Sequence, residues 1–260
     1  MVWYGTGTGY EGSCIGSVLT EFYNSVLESG DVPAQLKDVI LTIEYSILYK
    51  SGDVRNCNNH RTLSLINVIG KILERLLANR MAAYCALQKG ILPEEQYGFR
   101  AGRSTLDAIF LSRVIDEAAL AKGEQVYKCF IDLTKAYDKV NRGLLFKILE
   151  LRGFPPKTIN VIKGLLLGSI AHVRLDGEIC STFALECGLK QGSVLSPLLF
   201  NIFLGAIIEV FHSKLDAHTP GIGGVAFAYD FTSTGLEPLS KAGVQAAQLA
   251  KNVLVFKQLS

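Results

Sequence analysis

Phe130-Ile131-Asp132-Leu133-Thr134-Lys135-Ala136-Tyr137-Asp138 is the stretch on which the reading of this chain turns. An alternating run that starts near Gln125 predicts a strand ending at Asp132, where the backbone holds a carboxylate rigidly. Asp138 follows after the chain has begun to turn. Such carboxylates suit two-metal phosphoryl transfer, in which two Mg²⁺ ions about 3.5–4 Å apart are fixed beside an attacking hydroxyl and a leaving phosphate. An exposed strand-to-helix turn would contain the same residue types, so the rest of the chain has to decide.

The sequence has 260 residues, 49% of them apolar, and a formal net charge of +2. It is long enough for one large domain or two small ones. The apolar fraction implies a large core, or apolar surface meant for a neighbouring domain. So small a net charge gives no global attraction for a polyanion, and nucleic-acid binding would need a local patch. Lys50, Arg55, Arg61, Lys71, Arg75, Arg80, Lys89, Arg100 and Arg103 supply one in sequence, opposed over that span only by Asp53, Glu74, Glu94 and Glu95. A solvated helical face is the competing reading.

Six cysteines are scattered with no Cys-x-x-Cys pair, so zinc is not indicated and reduced, intracellular thiols are expected. The first residues lack a basic start followed by an apolar run, so no signal peptide is expected. The apolar run Leu195 to Val210 contains Pro197 and Asn201 and reads as a buried helix. A soluble protein with no membrane partner follows, with nucleus and cytoplasm both open.

Local patterns predict a helix from Thr20 towards Lys37, interrupted at Gly30 and Pro33, after a Gly-rich segment (1–19) expected to be poorly ordered. Val39 to Tyr49 is rich in β-branched residues and predicts a strand. Ile66, Ile69, Leu73, Leu76 and Leu77 recur at helical spacing, with Lys71, Arg75 and Arg80 on the polar face. Ser104 with Asp107 predicts a capped helix start. Two short helices (Asn141 to Arg152, Pro156 to Leu167), a hairpin about Asp176-Gly177, a helix from Pro197 to Leu215 and a strand at Val225–Tyr229 complete the order. The Asp132 strand and the Val225–Tyr229 strand are expected side by side in an α+β arrangement.

Three further segments stand in fixed order around Phe130–Asp138: Asn58-Asn59-His60-Arg61-Thr62-Leu63-Ser64-Leu65, then Gln96-Tyr97-Gly98-Phe99-Arg100-Ala101-Gly102-Arg103-Ser104-Thr105, and later Gly188-Leu189-Lys190-Gln191-Gly192-Ser193-Val194-Leu195-Ser196-Pro197-Leu198-Leu199-Phe200-Asn201. This series resembles the reverse transcriptase domain of non-LTR (LINE-like) retrotransposons. The resemblance covers about Thr20 to Lys257 and implies a right-hand polymerase copying RNA into DNA with Mg²⁺. It implies fingers at about 38–124 and an antiparallel palm sheet packed on helices at about 125–257.

By the same resemblance Asp132 is the first metal-binding carboxylate, and Tyr137 packs under the incoming sugar or is a core aromatic. Gln191 and Gly192 line the nucleotide pocket, where a glycine permits close backbone approach. Lys50 and Arg61 hold the triphosphate, with a solvated surface the alternative for Lys50. Arg100 and Arg103 contact template or primer phosphate, or are surface salt-bridge partners. RNA template, DNA primer and deoxynucleoside triphosphates are the implied partners.

The resemblance breaks at Val225-Ala226-Phe227-Ala228-Tyr229-Asp230-Phe231, where the family carries Ala-Asp-Asp. Tyr229 stands at the first Asp and leaves one carboxylate, Asp230. A phenol with a pKa near 10 stays protonated at neutral pH and cannot replace a carboxylate on hard Mg²⁺. Impaired catalysis is therefore expected, and a non-catalytic nucleic-acid-binding remnant is the alternative. The later palm segment looks shortened (Lys251–Lys257), and thumb and endonuclease regions are expected only on a longer product.

Overall fold

Apolar residues at helical spacing form α1 (Cys14–Ser29), which begins inside the segment expected to be poorly ordered rather than at Thr20. The computed structural model describes residues 14–33, 42–56, 59–123, 126–133, 135–175, 178–216, 223–227 and 230–236. Residues 1–13, which make up most of that segment, lie outside this set, as do Tyr229 and the Lys251–Lys257 segment. After α1 come β1 (Thr42–Tyr49), β2 (His60–Leu65), α2 (Val68–Leu87), α3 (Thr105–Ala121) and β3 (Val126–Asp132). Then follow α4 (Arg142–Leu151), α5 (Pro156–Leu166), β4 (Ile170–Leu175), β5 (Glu178–Ile179), β6 (Phe183–Ala184), α6 (Ser196–Asp216), β7 (Gly223–Phe227) and β8 (Asp230–Leu236).

The chain divides into two compact units, each made of two separate stretches: 1–83 with 137–196, and 84–136 with 197–260.

In the first unit a mixed sheet runs β2-β1-β4-β5, with β6 also on β4. Strands β1 and β2 are antiparallel, from Glu44↔Leu65 to Tyr49↔His60. Strands β1 and β4 run parallel, from Thr42↔Ile170 to Tyr45↔Val173. Helix α5 packs on α1 and α4. Val26, Ile43, Leu73, Leu145, Leu149, Ile162 and Ala171 are fully or almost fully buried there. Each buried aliphatic side chain of Val, Leu or Ile size contributes about 1.5–3 kcal/mol, and this holds the helices on one another. Asn141 caps α4 by accepting from the Leu144 N–H at 2.9 Å.

In the second unit an antiparallel sheet runs β3-β8-β7, with α3 against β3 and β7. The capping box read at Ser104 is formed: its hydroxyl accepts from the Asp107 N–H, and the Asp107 carboxylate accepts from the Ser104 N–H at 2.7 Å. The apolar run at Leu195–Val210 forms α6 as a buried helix, with Leu199, Phe200, Ile202, Leu204 and Ile208 inside.

One expectation is corrected. The strand at Val225–Tyr229, observed as β7, is not beside β3, because β8 lies between them. β7 and β8 pair as a hairpin in which Phe227 faces Asp230, and the returning strand supplies the ladder to β3. Asp132 and Asp230 are then direct register partners.

Candidate active site

The loop Gly188–Ser193 is fastened by backbone hydrogen bonds to the turn before α4 and to β2. Its Gly188 N–H donates to the Val140 carbonyl at 3.0 Å, and its Leu189 N–H donates to the Tyr137 carbonyl at 2.8 Å. The Gln191 carbonyl accepts from the Ser64 N–H of β2 at 2.7 Å, so two of the sequence motifs meet there. Gln191 Nε2 donates to Asp138 Oδ1 at 3.0 Å.

Two glycines make this packing possible. Gly188 has φ +80°, and a Cβ on it would lie 2.7 Å from the Asp138 carbonyl oxygen. Gly192 has φ +112°, and a Cβ there would lie 2.8 Å from the Ser64 carbonyl oxygen. Both φ values are ones L side chains rarely adopt. The close approach at Gly192 is thus made by the chain's own backbone.

Buried charge holds the loop from beneath. Arg142, 5% exposed, donates from Nε to the Gly188 carbonyl at 2.9 Å and from Nη1 to the Leu166 carbonyl at 2.6 Å. It also reaches the Leu185 and Cys187 carbonyls. Lys190 Nζ donates to the Leu165 carbonyl at 2.9 Å. Burial pushes the Lys190 ammonium down to about 8; Glu74 opposes that shift and Arg142 adds to it. Glu74 is buried and accepts from the Ser193 hydroxyl at 2.7 Å and the Val194 N–H at 3.1 Å.

Tyr137 is 7% exposed, a core position whose carbonyl holds the loop. Lys50 is exposed just beyond β1, and its N–H donates to the Asn59 carbonyl at 2.9 Å. Arg61 stands in β2 opposite Leu48, so the hairpin carries both basic positions near the same end. These residues, with Gln191 and Gly192, belong to the first unit, whereas Asp132, Asp230, Arg100 and Arg103 belong to the second.

In the second unit, Arg100 and Arg103 are engaged by their own loop. Arg103 Nη2 pairs with the Glu94 carboxylate and its Nη1 with the Glu94 carbonyl, while its guanidinium lies 5.0 Å over the Tyr97 ring. Arg100 Nη1 donates to the Pro93 carbonyl at 2.6 Å, and its Nη2 is 3.5 Å from Glu94. The hydrogen bond from Arg103 is the main reason the Glu94 carboxyl is held below its ordinary value. Asn201 of α6, fully buried, donates from Nδ2 to the Gly98 carbonyl at 3.0 Å and ties the Gly-Phe-Arg motif to the helix.

Phe130 of β3 is 78% exposed. Among the described residues no group of three or more His, Cys, Asp or Glu could hold a metal ion. Cys85, Cys180 and Cys187 are free thiols. No helix of the described residues is long and apolar enough to cross a membrane.

Residues 48–238 match the family model described as reverse transcriptase (RNA-dependent DNA polymerase). The chain belongs to the reverse transcriptase family. It is 34% identical to the RNA-directed DNA polymerase from mobile element jockey of Drosophila melanogaster, over 78% of this chain and 21% of that protein. It is 33% identical to the probable RNA-directed DNA polymerase from transposon X-element of the same species, over 71% of this chain and 20% of that one. These relatives make it a reverse transcriptase domain of the non-LTR retrotransposon type, and it spans about a fifth of their length. Telomerase from Candida albicans shares the fold, with a TM-score of 0.63 at 13% identity over 90% of this chain and 43% of that one. Reverse transcriptases generally use divalent metals and bind an RNA template and a primer.

Glu74, Arg142, Lys190 and Asn201 carry this reverse transcriptase domain's loops, a structural role that sequence alone assigns to none of them. Glu74 left a signal, as a lone acid among the basic residues of α2, three positions before Leu77 on the buried stripe. Lys190 and Asn201 both sit inside a marked motif and look there like ordinary polar residues.

Proposed function

We propose that this chain supplies the fingers and palm of an RNA-directed DNA polymerase, and that its own chemistry is impaired at Tyr229. The observation that carries the reading is the register of β3 on β8, where Asp132 stands opposite Asp230. Residues directly opposite in an antiparallel pair share a face, with Cβ atoms about 4.5–5.5 Å apart. Mg²⁺ takes one or two carboxylates and completes its octahedron with water and substrate phosphates, so an aspartate at each of two facing strand positions matches its needs. Bound there, the ion would neutralise charge on the reacting phosphate.

The antiparallel sheet β3-β8-β7 is the palm in this reading, and the β1–β2 hairpin belongs to the fingers. Lys50 and Arg61 bind the triphosphate, Tyr137 backs the sugar from a buried position, and Gln191 and Gly192 border the nucleotide. Arg100 and Arg103 rigidify their loop through Glu94 and present their remaining donors to nucleic acid. In sequence Tyr229 puts a neutral phenol where the first Asp of the family's pair belongs. Loss of a ligand's outer partner alone costs about 10–100-fold, and loss of the ligand itself costs more.

Primer extension on an RNA template with Mg²⁺ tests this reading, comparing the unaltered chain, Tyr229→Asp and Asp132→Ala. Extension is expected from Tyr229→Asp only. Extension by the unaltered chain well above Asp132→Ala would overturn the impairment. Exposed Arg75 and Arg80 on α2 favour a second reading, a nucleic-acid-binding module without catalysis. That reading predicts salt-sensitive RNA binding with no extension from any of the three.

A further inference from the structure

The geometry points to Asp138 as the positioning residue for the Gln191 side chain; this rests on the reading that Gln191 borders the nucleotide. Asp138 lies six residues beyond Asp132, too far along a turning chain to share its strand. The turn 135–139 instead brings it over the loop that bears Gln191. Its backbone is locked in place from several directions. The Gly188 Cα packs so close that a Cβ would lie 2.7–2.9 Å from the Asp138 O, C and Cα atoms. Cys187 Sγ donates to the Asp138 carbonyl at 3.5 Å, and the flanking Tyr137 and Val140 carbonyls accept from Leu189 and Gly188.

From that fixed backbone the Asp138 carboxylate accepts the Gln191 amide at 3.0 Å. A carboxylate only accepts, so the contact also sets which way the amide is turned: its NH₂ faces Asp138 and its oxygen points to the opposite side. Gln191 is therefore held twice, by its carbonyl on the Ser64 N–H and by its side chain on Asp138. A charge-assisted hydrogen bond of this length fixes a side chain that would otherwise lose rotamer entropy on binding a ligand. Asp138 acts through Gln191 and needs no contact with metal or nucleotide.

Two measurements on the full chain separate this inference from the reading beneath it. The first is ¹⁵N relaxation of the Gln191 side-chain amide without ligand. Its order parameter is expected to fall below about 0.6 in Asp138→Ala and to stay near the unaltered value in Asp138→Asn, whose oxygen still accepts. An unchanged order parameter in Asp138→Ala overturns the inference.

The second is titration of a fluorescent dNTP into the chain bound to an RNA–DNA primer-template. Gln191→Ala and Asp138→Ala are each expected to weaken binding about tenfold, Asp138→Asn much less, and the double variant no more than Gln191→Ala alone. Weakening by Gln191→Ala but not by Asp138→Ala overturns the inference and leaves the pocket reading standing. Full-strength binding by Gln191→Ala overturns the pocket reading itself, whatever the relaxation data show.

Discussion

Arg142→Met keeps most of the side chain's length while removing every donor that faces the Gly188, Leu166, Leu185 and Cys187 carbonyls. Hydrogen bonds to a charged group are worth about 1.5–3 kcal/mol each, so four would sum to about 6–12 kcal/mol. That sum is too high, because the four share one guanidinium and such terms do not add. The bonds to Leu185 and Cys187 are only part-buried, so water can replace them. The bonds to Gly188 and Leu166 are buried, and each orphaned carbonyl costs about 1–3 kcal/mol. A net loss of about 4 kcal/mol is expected, a large share of the roughly 5–15 kcal/mol of a typical domain. Urea denaturation followed by far-UV circular dichroism measures it, with Asn141→Ala, a lost cap worth about 1 kcal/mol, as the neighbouring control. A loss from Arg142→Met no larger than that of the control would refute the claim that these bonds hold the Gly188 loop.

Stability should depend on pH through Lys190, whose folded-state value of about 8 lies below its ordinary 10.5. Between those values the unfolded chain binds more protons, so stability rises with pH across about 8 to 10.5, by at most about 3 kcal/mol at 1.36 kcal/mol per unit. Unfolding free energies over that window should show the rise, and Lys190→Met should flatten it. Gly192→Ala should cost about 2–4 kcal/mol, because φ +112° and a 2.8 Å approach to the Ser64 carbonyl act together. Gly102→Ala, with φ +74° and open space around it, should cost only about 1 kcal/mol, and paired thermal melts check the difference.

Several elements were legible in sequence because short-range rules govern them. The strand ending at Asp132, the capped start of α3, the paired helices after Asn141 and the buried helix from Ser196 all follow from periodicity and capping. Strand β2 was met only as a motif. Strand β8 was not foreseen, since Asp230-Phe231-Thr232-Ser233-Thr234-Gly235-Leu236 has little apolar content. Its strand state comes from hydrogen bonding to β3 on one edge and β7 on the other, and those partners are distant in sequence or set by the hairpin.

The family, the order of its motifs and the loss of a carboxylate at Tyr229 can be read from residue identities, because they depend on which groups the chain carries. Which groups meet is a different matter. The register pairing of Asp132 and Asp230, the Asp138 hold on Gln191 and the burial of Glu74, Arg142 and Lys190 around one loop all join residues far apart along the chain. Only tertiary structure decides them, because strand register and the desolvation of a charge depend on every element packed around the pair.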